Sequence, residues 1–306
     1  MNENSPDAEA GVEAGPAVAP GVEVIYFTDP LCPWSWAFEP QWRRLLNVYG
    51  GQITVRLAMG GMIADWKSFH DPIHSIHNPS QMAAQWYEVR RTTAVPVDER
   101  IWHDDPPGSS YPACLAVKAA EQQGAEAGAA YLRLVREAVM AGRRNVARGE
   151  VLADLADALA ADPPPGVVFD AGQFRVDLVG AGARDAFHDD IREVRYRNIA
   201  RFPTLVLRAD AGAGIAVVGY RPFAILAAAL TQLAPELRPG EDLPGAVAYV
   251  RRWKRAMAWE AAAALGIDAA TALRSLENAV ATGELDRDDS IAGGFLATDA
   301  QPISCR

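Results

Sequence analysis

The spacing of apolar residues changes period several times along the chain, and each change marks an element. Residues 22–27, Val-Glu-Val-Ile-Tyr-Phe, read as a short β-branched and aromatic strand ended by Thr28-Asp29-Pro30. From Pro33 onward Trp34, Phe38, Trp42, Leu45 and Leu46 recur at helical spacing, and Gly50-Gly51 stops the run. Pro33 suits a first helical position, where its missing N–H would be unpaired anyway. Residues 53–59 then alternate apolar and polar side chains before Gly60-Gly61, which predicts a second strand and completes a β-α-β unit. Between about 79 and 200 the helical period dominates, over 82–91, 112–123, 129–141, 151–160 and 171–198, the last broken at Gly180 and Gly182. Strand patterns return at 204–207 and 215–218 around a turn-rich 210–214, and 222–233 reads as a closing helix. The plan is an α/β domain over 22–233 with a helical insertion at about 79–200.

Composition trims what surrounds that domain. Residues 1–21, rich in Ala, Gly, Pro and Glu, predict a disordered leader, and residues 234–245, with three prolines, a linker. The leader has no basic start and no apolar run, so it does not resemble a secretory signal, and a cytoplasmic location is expected. Three cysteines in 306 residues are too few for a disulfide framework, which agrees with a reducing compartment. A net charge of −10 argues against a general nucleic-acid or anionic-membrane surface. No apolar stretch is long enough to span a bilayer.

Residues 246–306 form a small C-terminal helical module. Helices are expected over 246–257, 259–265 and 269–281, with Gly266-Ile267-Asp268 as a turn and Gly293-Gly294-Phe295-Leu296 as a small wing, so the module is winged-helix-like. A DNA-binding version would use Arg274 and the cluster Arg251, Arg252, Lys254 and Arg255. The would-be recognition helix holds one Arg and one Glu among alanines, poor material for phosphate and base contacts, so a packing or oligomerisation role is favoured.

The informative motif is Asp29-Pro30-Leu31-Cys32-Pro33-Trp34-Ser35-Trp36, placed between strand and helix. A thiol at a helix start meets unpaired backbone N–H groups and the positive end of the helix dipole, both of which favour thiolate. Cys32 is therefore expected to titrate below the ordinary thiol value of about 8.5 and to act as a nucleophile. The bland alternative is an inert buried cysteine.

This motif resembles the DsbA-like branch of the thioredoxin superfamily, in which a strand ends in Cys-Pro-aromatic-Cys and a helix begins. The resemblance covers roughly residues 22–233 and implies a thioredoxin-like fold. It also implies a cis-proline at Pro203, in Phe202-Pro203-Thr204, and a substrate groove formed by Pro33, Trp34, Phe202, Pro203 and Thr204. Residues 111–120 look like the opening of the family's helical insert, and Gly60-Gly61-Met62 with the 66–77 loop like the groove border. Of Trp34 and Trp36, one is expected in the groove and one in the core. The family's second cysteine is Ser35 here, so Cys32 can hold a mixed disulfide but cannot release it by exchange with a partner one turn away. Ser35 either donates to the Cys32 thiolate or caps backbone groups.

The resemblance leaves three functions open. The leading one is a monothiol thiol-disulfide oxidoreductase acting on a disulfide-containing or thiol substrate, a protein among them, through catalytic Cys32 and Ser35. The second is a glutathione-dependent transferase or isomerase, because Cys-Pro-Trp-Ser-Trp also looks like Ser-Pro-Tyr-Ser-Trp of kappa-class glutathione transferases and 2-hydroxychromene-2-carboxylate isomerases. The third is the DsbA-like adaptor group that presents substrates to a Clp protease. No tightly bound cofactor is expected; glutathione or another low-molecular-weight thiol is the candidate. Cys114 is either a distant resolving thiol or a packed core residue, and Cys305 a solvent-exposed bystander. His70, His74, His77 and His103 lack paired cysteines or a recognised ligand spacing, so no metal site is expected.

Overall fold

The computed structural model describes residues 21–71, 75–209, 212, 214–289, 291 and 293–298. The expected leader and Cys305 lie outside the described residues, apart from Gly21. The first half of the chain gives β1 (Val22–Thr28), α1 (Pro33–Ala37), α2 (Glu39–Tyr49) and β2 (Ile53–Met59). The insertion supplies α3 (Pro79–Thr93), α4 (Ile101–Asp104), α5 (Tyr111–Glu121), α6 (Ala125–Met140), α7 (Gly149–Ala161), α8 (Ala171–Val179) and α9 (Ala181–Tyr196). The chain then returns through β3 (Thr204–Arg208), β4 (Gly214–Val218) and α10 (Phe223–Leu233).

The four strands form one sheet in the order β2-β1-β3-β4, with β1 parallel to β2 and antiparallel to β3. As the central strand β1 is buried on both faces, which is why Val22-Glu23-Val24-Ile25-Tyr26-Phe27 reads as nearly continuous apolar sequence. Val22, Val24 and Tyr26 face the main core, while Ile25 and Phe27 pack with Ala58 and with Val194 and Phe202 on the other side. This is the thioredoxin-like α/β fold with its helical insertion, as the sequence pattern and resemblance implied.

The single helix expected from Pro33 is two helices in the structure. Phe38 separates them, and Pro40 falls in the first turn of α2, where the absent N–H costs nothing. The 234–245 segment is fastened rather than loose: the N–H of Gly240 donates to the carbonyl of Val48 at 2.9 Å, Asn47 donates to the carbonyl of Glu241 at 3.0 Å, and Arg44 pairs with Asp242.

The C-terminal module holds α11 (Ala246–Trp253), β5 (Arg255–Met257), α12 (Ala258–Leu265), α13 (Ala269–Ala281), β6 (Leu285–Asp288) and β7 (Gly294–Ala297), with a second sheet in the order β5-β7-β6. The helix expected over 246–257 therefore stops at Trp253. Lys254 takes a left-handed φ of 67°, and Arg255-Ala256-Met257 pair with β7 instead. The turn between α12 and α13 is as expected, with Gly266 left-handed at the end of α12 and the Asp268 carboxylate accepting from the Thr271 N–H to start α13.

Candidate functional site

The strand-to-helix corner is built around Asp29. Its carbonyl accepts from the Cys32 N–H at 3.1 Å and its Oδ1 from the Leu31 N–H at 2.9 Å, which tightens the turn after β1. Cys32 then stands at the entry to α1 in extended conformation, its carbonyl accepting from the Trp36 N–H, with Pro33 at the first helical position.

The thiol is not open to solvent. Cys32 is 4% exposed, and its Sγ donates to the carbonyl oxygen of Phe202 at 3.5 Å, across 170 positions of sequence. Burial pushes the thiol above its ordinary value; Ser35 pulls it down, the Asp29 carboxyl pushes it up, and the Arg136 guanidinium pulls it down. Loss of hydration wins, so the lowered thiol expected from the helix-start position is reversed. The helix behind it is also short, at five residues, which limits the aligned dipoles that could have offset burial. Ser35 is buried and its hydroxyl makes no cap to the backbone; it lies one turn from Cys32, where the hydrogen bond it offers the thiol is what pulls the thiol down.

The facing wall comes from the return crossing of the chain. The Phe202–Pro203 peptide bond is cis, as the resemblance implied, and the carbonyl of Pro203 accepts from the Gly219 N–H at 2.7 Å. Thr204 is buried and donates its hydroxyl to the carbonyl of Arg201 at 2.8 Å. Gly60 sits directly beneath the Phe202 ring: a Cβ there would overlap it, so this position needs glycine for close approach. Trp34 is the partly exposed aromatic of the pair and packs 6.2 Å from Tyr220. Trp36 is the core one, its Nε1 donating to the carbonyl of Pro96 at 3.0 Å.

Asp29 is the site residue that reading for nucleophiles missed. It is 0% exposed, and its Oδ2 accepts from the Met62 N–H at 2.7 Å, the Ser110 hydroxyl at 3.0 Å and the Cys114 thiol at 3.5 Å. It therefore ties the corner to the Gly60–Met62 loop and to the start of α5. Burial raises its carboxyl despite these donors. The signal in the sequence was a carboxylate between an apolar strand and a proline. Cys114 is fully buried on α5; burial first, and Asp29 next, push its thiol well above the ordinary range. Cys32 and Cys114 are both free thiols.

The remaining candidates are dispersed. His70 and His77 stack, with their Nδ1 atoms 2.8 Å apart, in the loop that follows the site; His74 lies outside the described residues and His103 is on α4. Among the described residues there is no group of three potential metal ligands and no helix long and apolar enough to cross a membrane. The C-terminal module is joined to the site's scaffold through Glu260, which accepts from Arg43 of α2 and Arg133 of α6.

Comparison with known proteins agrees with this architecture. Residues 26–228 match the family described as Thioredoxin. The chain is 28% identical over 279 residues to the ClpXP adapter protein SpxH of Halalkalibacterium halodurans, covering 90% of this chain and 88% of that one. It is 30% identical over 223 residues to the SpxH of Shouchella clausii, covering 72% and 68%. Among solved structures it is similar to the cytosolic disulfide reductase DsbM of Pseudomonas aeruginosa, with a TM-score of 0.50, 24% identity and coverage of 64% and 88%, a likeness of fold.

Proposed function

We propose, from the premise that this chain belongs to the DsbA-like thioredoxin family, that it works as a protein-binding adapter handing a client to a ClpXP-type protease rather than as an enzyme that turns over disulfides. The observation that carries this reading is Cys32 itself: 4% exposed, hydrogen-bonded to the Phe202 carbonyl, raised by burial, and with Ser35 where a second thiol would stand. A nucleophilic thiol must be ionised and reachable, and a turnover site needs a resolving thiol. Cys114 does not supply one on this reading, because it is committed to Asp29 in the core.

What stays at the surface of the corner suits binding. Trp34 and Tyr220 are partly exposed and pack against each other, offering apolar surface rather than an open reaction centre. The alignment with the Halalkalibacterium SpxH spans 90% of this chain, so it takes in part of the C-terminal module as well as the thioredoxin domain. Work beside ClpXP also fits the expected cytoplasmic location.

The test is genetic and proteomic. Protein half-lives are measured by pulse-chase in cells carrying the wild-type gene, a deletion, and Cys32→Ala. The adapter reading expects a discrete set of proteins stabilised by the deletion and returned to rapid turnover by both wild type and Cys32→Ala. Failure of a folded Cys32→Ala to restore turnover overturns it in favour of the monothiol oxidoreductase, which needs the thiol. A stabilised set that is empty overturns the adapter role itself.

A further inference from the structure

A cavity of about 680 Å³ lies away from the Cys32 corner, and none of Cys32, Phe202 and Pro203 lines it. One wall is the main-core face of β2, where Ile53, Val55 and Leu57 alternate inward, joined by Trp42 and Leu46 of α2. The facing wall is α6 and the end of α7, with Ala130, Leu134 and Leu159. The segment 252–255, where the C-terminal module begins its sheet, completes the lining. The size falls within the range of small-molecule sites, which run from roughly 300 to 1,000 Å³, with mostly apolar walls and a few placed polar groups.

Its polar groups ask for an acceptor. Trp253 and Arg136, both hydrogen-bond donors, are among its lining residues, and Trp253 Nε1 and Arg136 Nε have no hydrogen-bond partner among the described residues. The Trp253 indole has the Arg43 and Arg252 guanidinium groups 5.0 Å from its ring. Arg43 is paired with Glu260, whereas Arg252 is exposed and makes no ion pair among the described residues. Of the four acids that line the cavity, Glu39 is paired with Arg136, Glu121 with Lys118 and Asp162 with Lys254, and Glu126 is exposed. The charge left for a ligand at the Trp253 end is positive.

We infer that this cavity binds an amphiphile with an apolar body and one anionic head of carboxylate type. The head sits against Arg252 and Trp253, and the body lies along Ile53, Val55 and Leu57. The occupant would bridge the thioredoxin domain, the helical insertion and the C-terminal module.

Displacement of a fluorescent dansyl-labelled fatty acid tests this on the full chain, with dodecanoate and its methyl ester as competitors below their micellar range. Saturable displacement by dodecanoate at one site per chain is expected, with the ester weaker by about tenfold, the usual worth of one charge-assisted hydrogen bond. Arg252→Ala should remove that preference and leave ester binding unchanged; Arg252 is exposed, so the fold is not at stake. Ala129→Trp, at an exposed position of the lining, should block both competitors. Absence of saturable displacement, equal affinity for acid and ester, or unchanged binding in Ala129→Trp would each overturn the inference.

Discussion

Replacing Glu260 by Gln removes the charge at the joint of the molecule. Glu260 is 0% exposed on α12 and accepts from Arg133 Nη1 and Nη2 at 2.9 and 2.7 Å, from Arg43 Nη1 at 2.5 Å and from the Tyr249 hydroxyl at 3.0 Å. Breaking a buried ion pair from one side costs about 3–5 kcal/mol, because the partner is left charged and out of water. Here each arginine keeps another carboxylate, Glu137 for Arg133 at 2.5 Å and Glu39 for Arg43 at 3.5 Å. The lower end, about 3 kcal/mol, is therefore the expectation, and at about 2–4 °C per kcal/mol for chains of this order Tm should fall by roughly 6–12 °C. Burial alone would raise the Glu260 carboxyl, but Arg133 and then Arg43 overcome it and hold it below the ordinary range. A carboxyl lowered in the folded state stabilises the protein above its unfolded value of about 4.3 and loses that contribution as pH falls through the folded value. The gap between wild type and Glu260→Gln, followed by circular dichroism melts and urea titration, should be full at pH 7 and begin to narrow once pH falls below the unfolded value of about 4.3. A gap under about 1 kcal/mol at pH 7, the range of an exposed pair, or one that persists unchanged at pH 3, would refute the reasoning.

Three further outcomes follow from the site. Cys32 should react with iodoacetamide more slowly than a free cysteine at pH 7 and show no fast phase at pH 6, since burial keeps the thiol protonated; mass spectrometry of the alkylated peptide reads this directly. Gly60→Ala should cost about 1–3 kcal/mol in urea unfolding, because its Cβ overlaps the Phe202 ring and either the ring or β2 must move. Asn78→Ala should cost about 1 kcal/mol, since the Asn78 side chain accepts from the Gln81 N–H in a reciprocal capping box at the start of α3.

What the sequence disclosed and what it hid divide along a physical line. The insertion was legible because helices carry their period locally: the breaks at Gly180 and near Gly124 fall where the pattern put them, although Gly182, expected to break the helix as well, sits in the first turn of α9. The break at Phe38 was not, because the apolar spacing runs through it and a proline in the first turn of a new helix leaves that spacing intact. Arg255-Ala256-Met257 have little strand propensity of their own and become a strand only because Gly294, Phe295 and Leu296 pair with them. Nothing in the composition of 234–245 disclosed that the segment is fastened to α2, because its partners Arg44 and Asn47 lie nearly two hundred positions away.

The same line runs through the site. Cys32, Pro33 and Pro203 were visible as types and positions, but reactivity depends on solvation, which no local motif specifies. The largest contribution at the Cys32 thiol is burial, while Ser35 and Arg136 oppose it. Ser35 belongs to the corner itself, whereas Arg136 is brought to it by α6 and the Phe202 carbonyl, which accepts from the thiol, by a distant crossing of the chain. A thioredoxin corner thus keeps its scaffold while burial, to which remote parts of the chain contribute, holds its thiol back. The measured alkylation rate of Cys32 consequently reports on burial more than on the motif, which is why it separates a binding surface from a reaction centre when the motif alone does not.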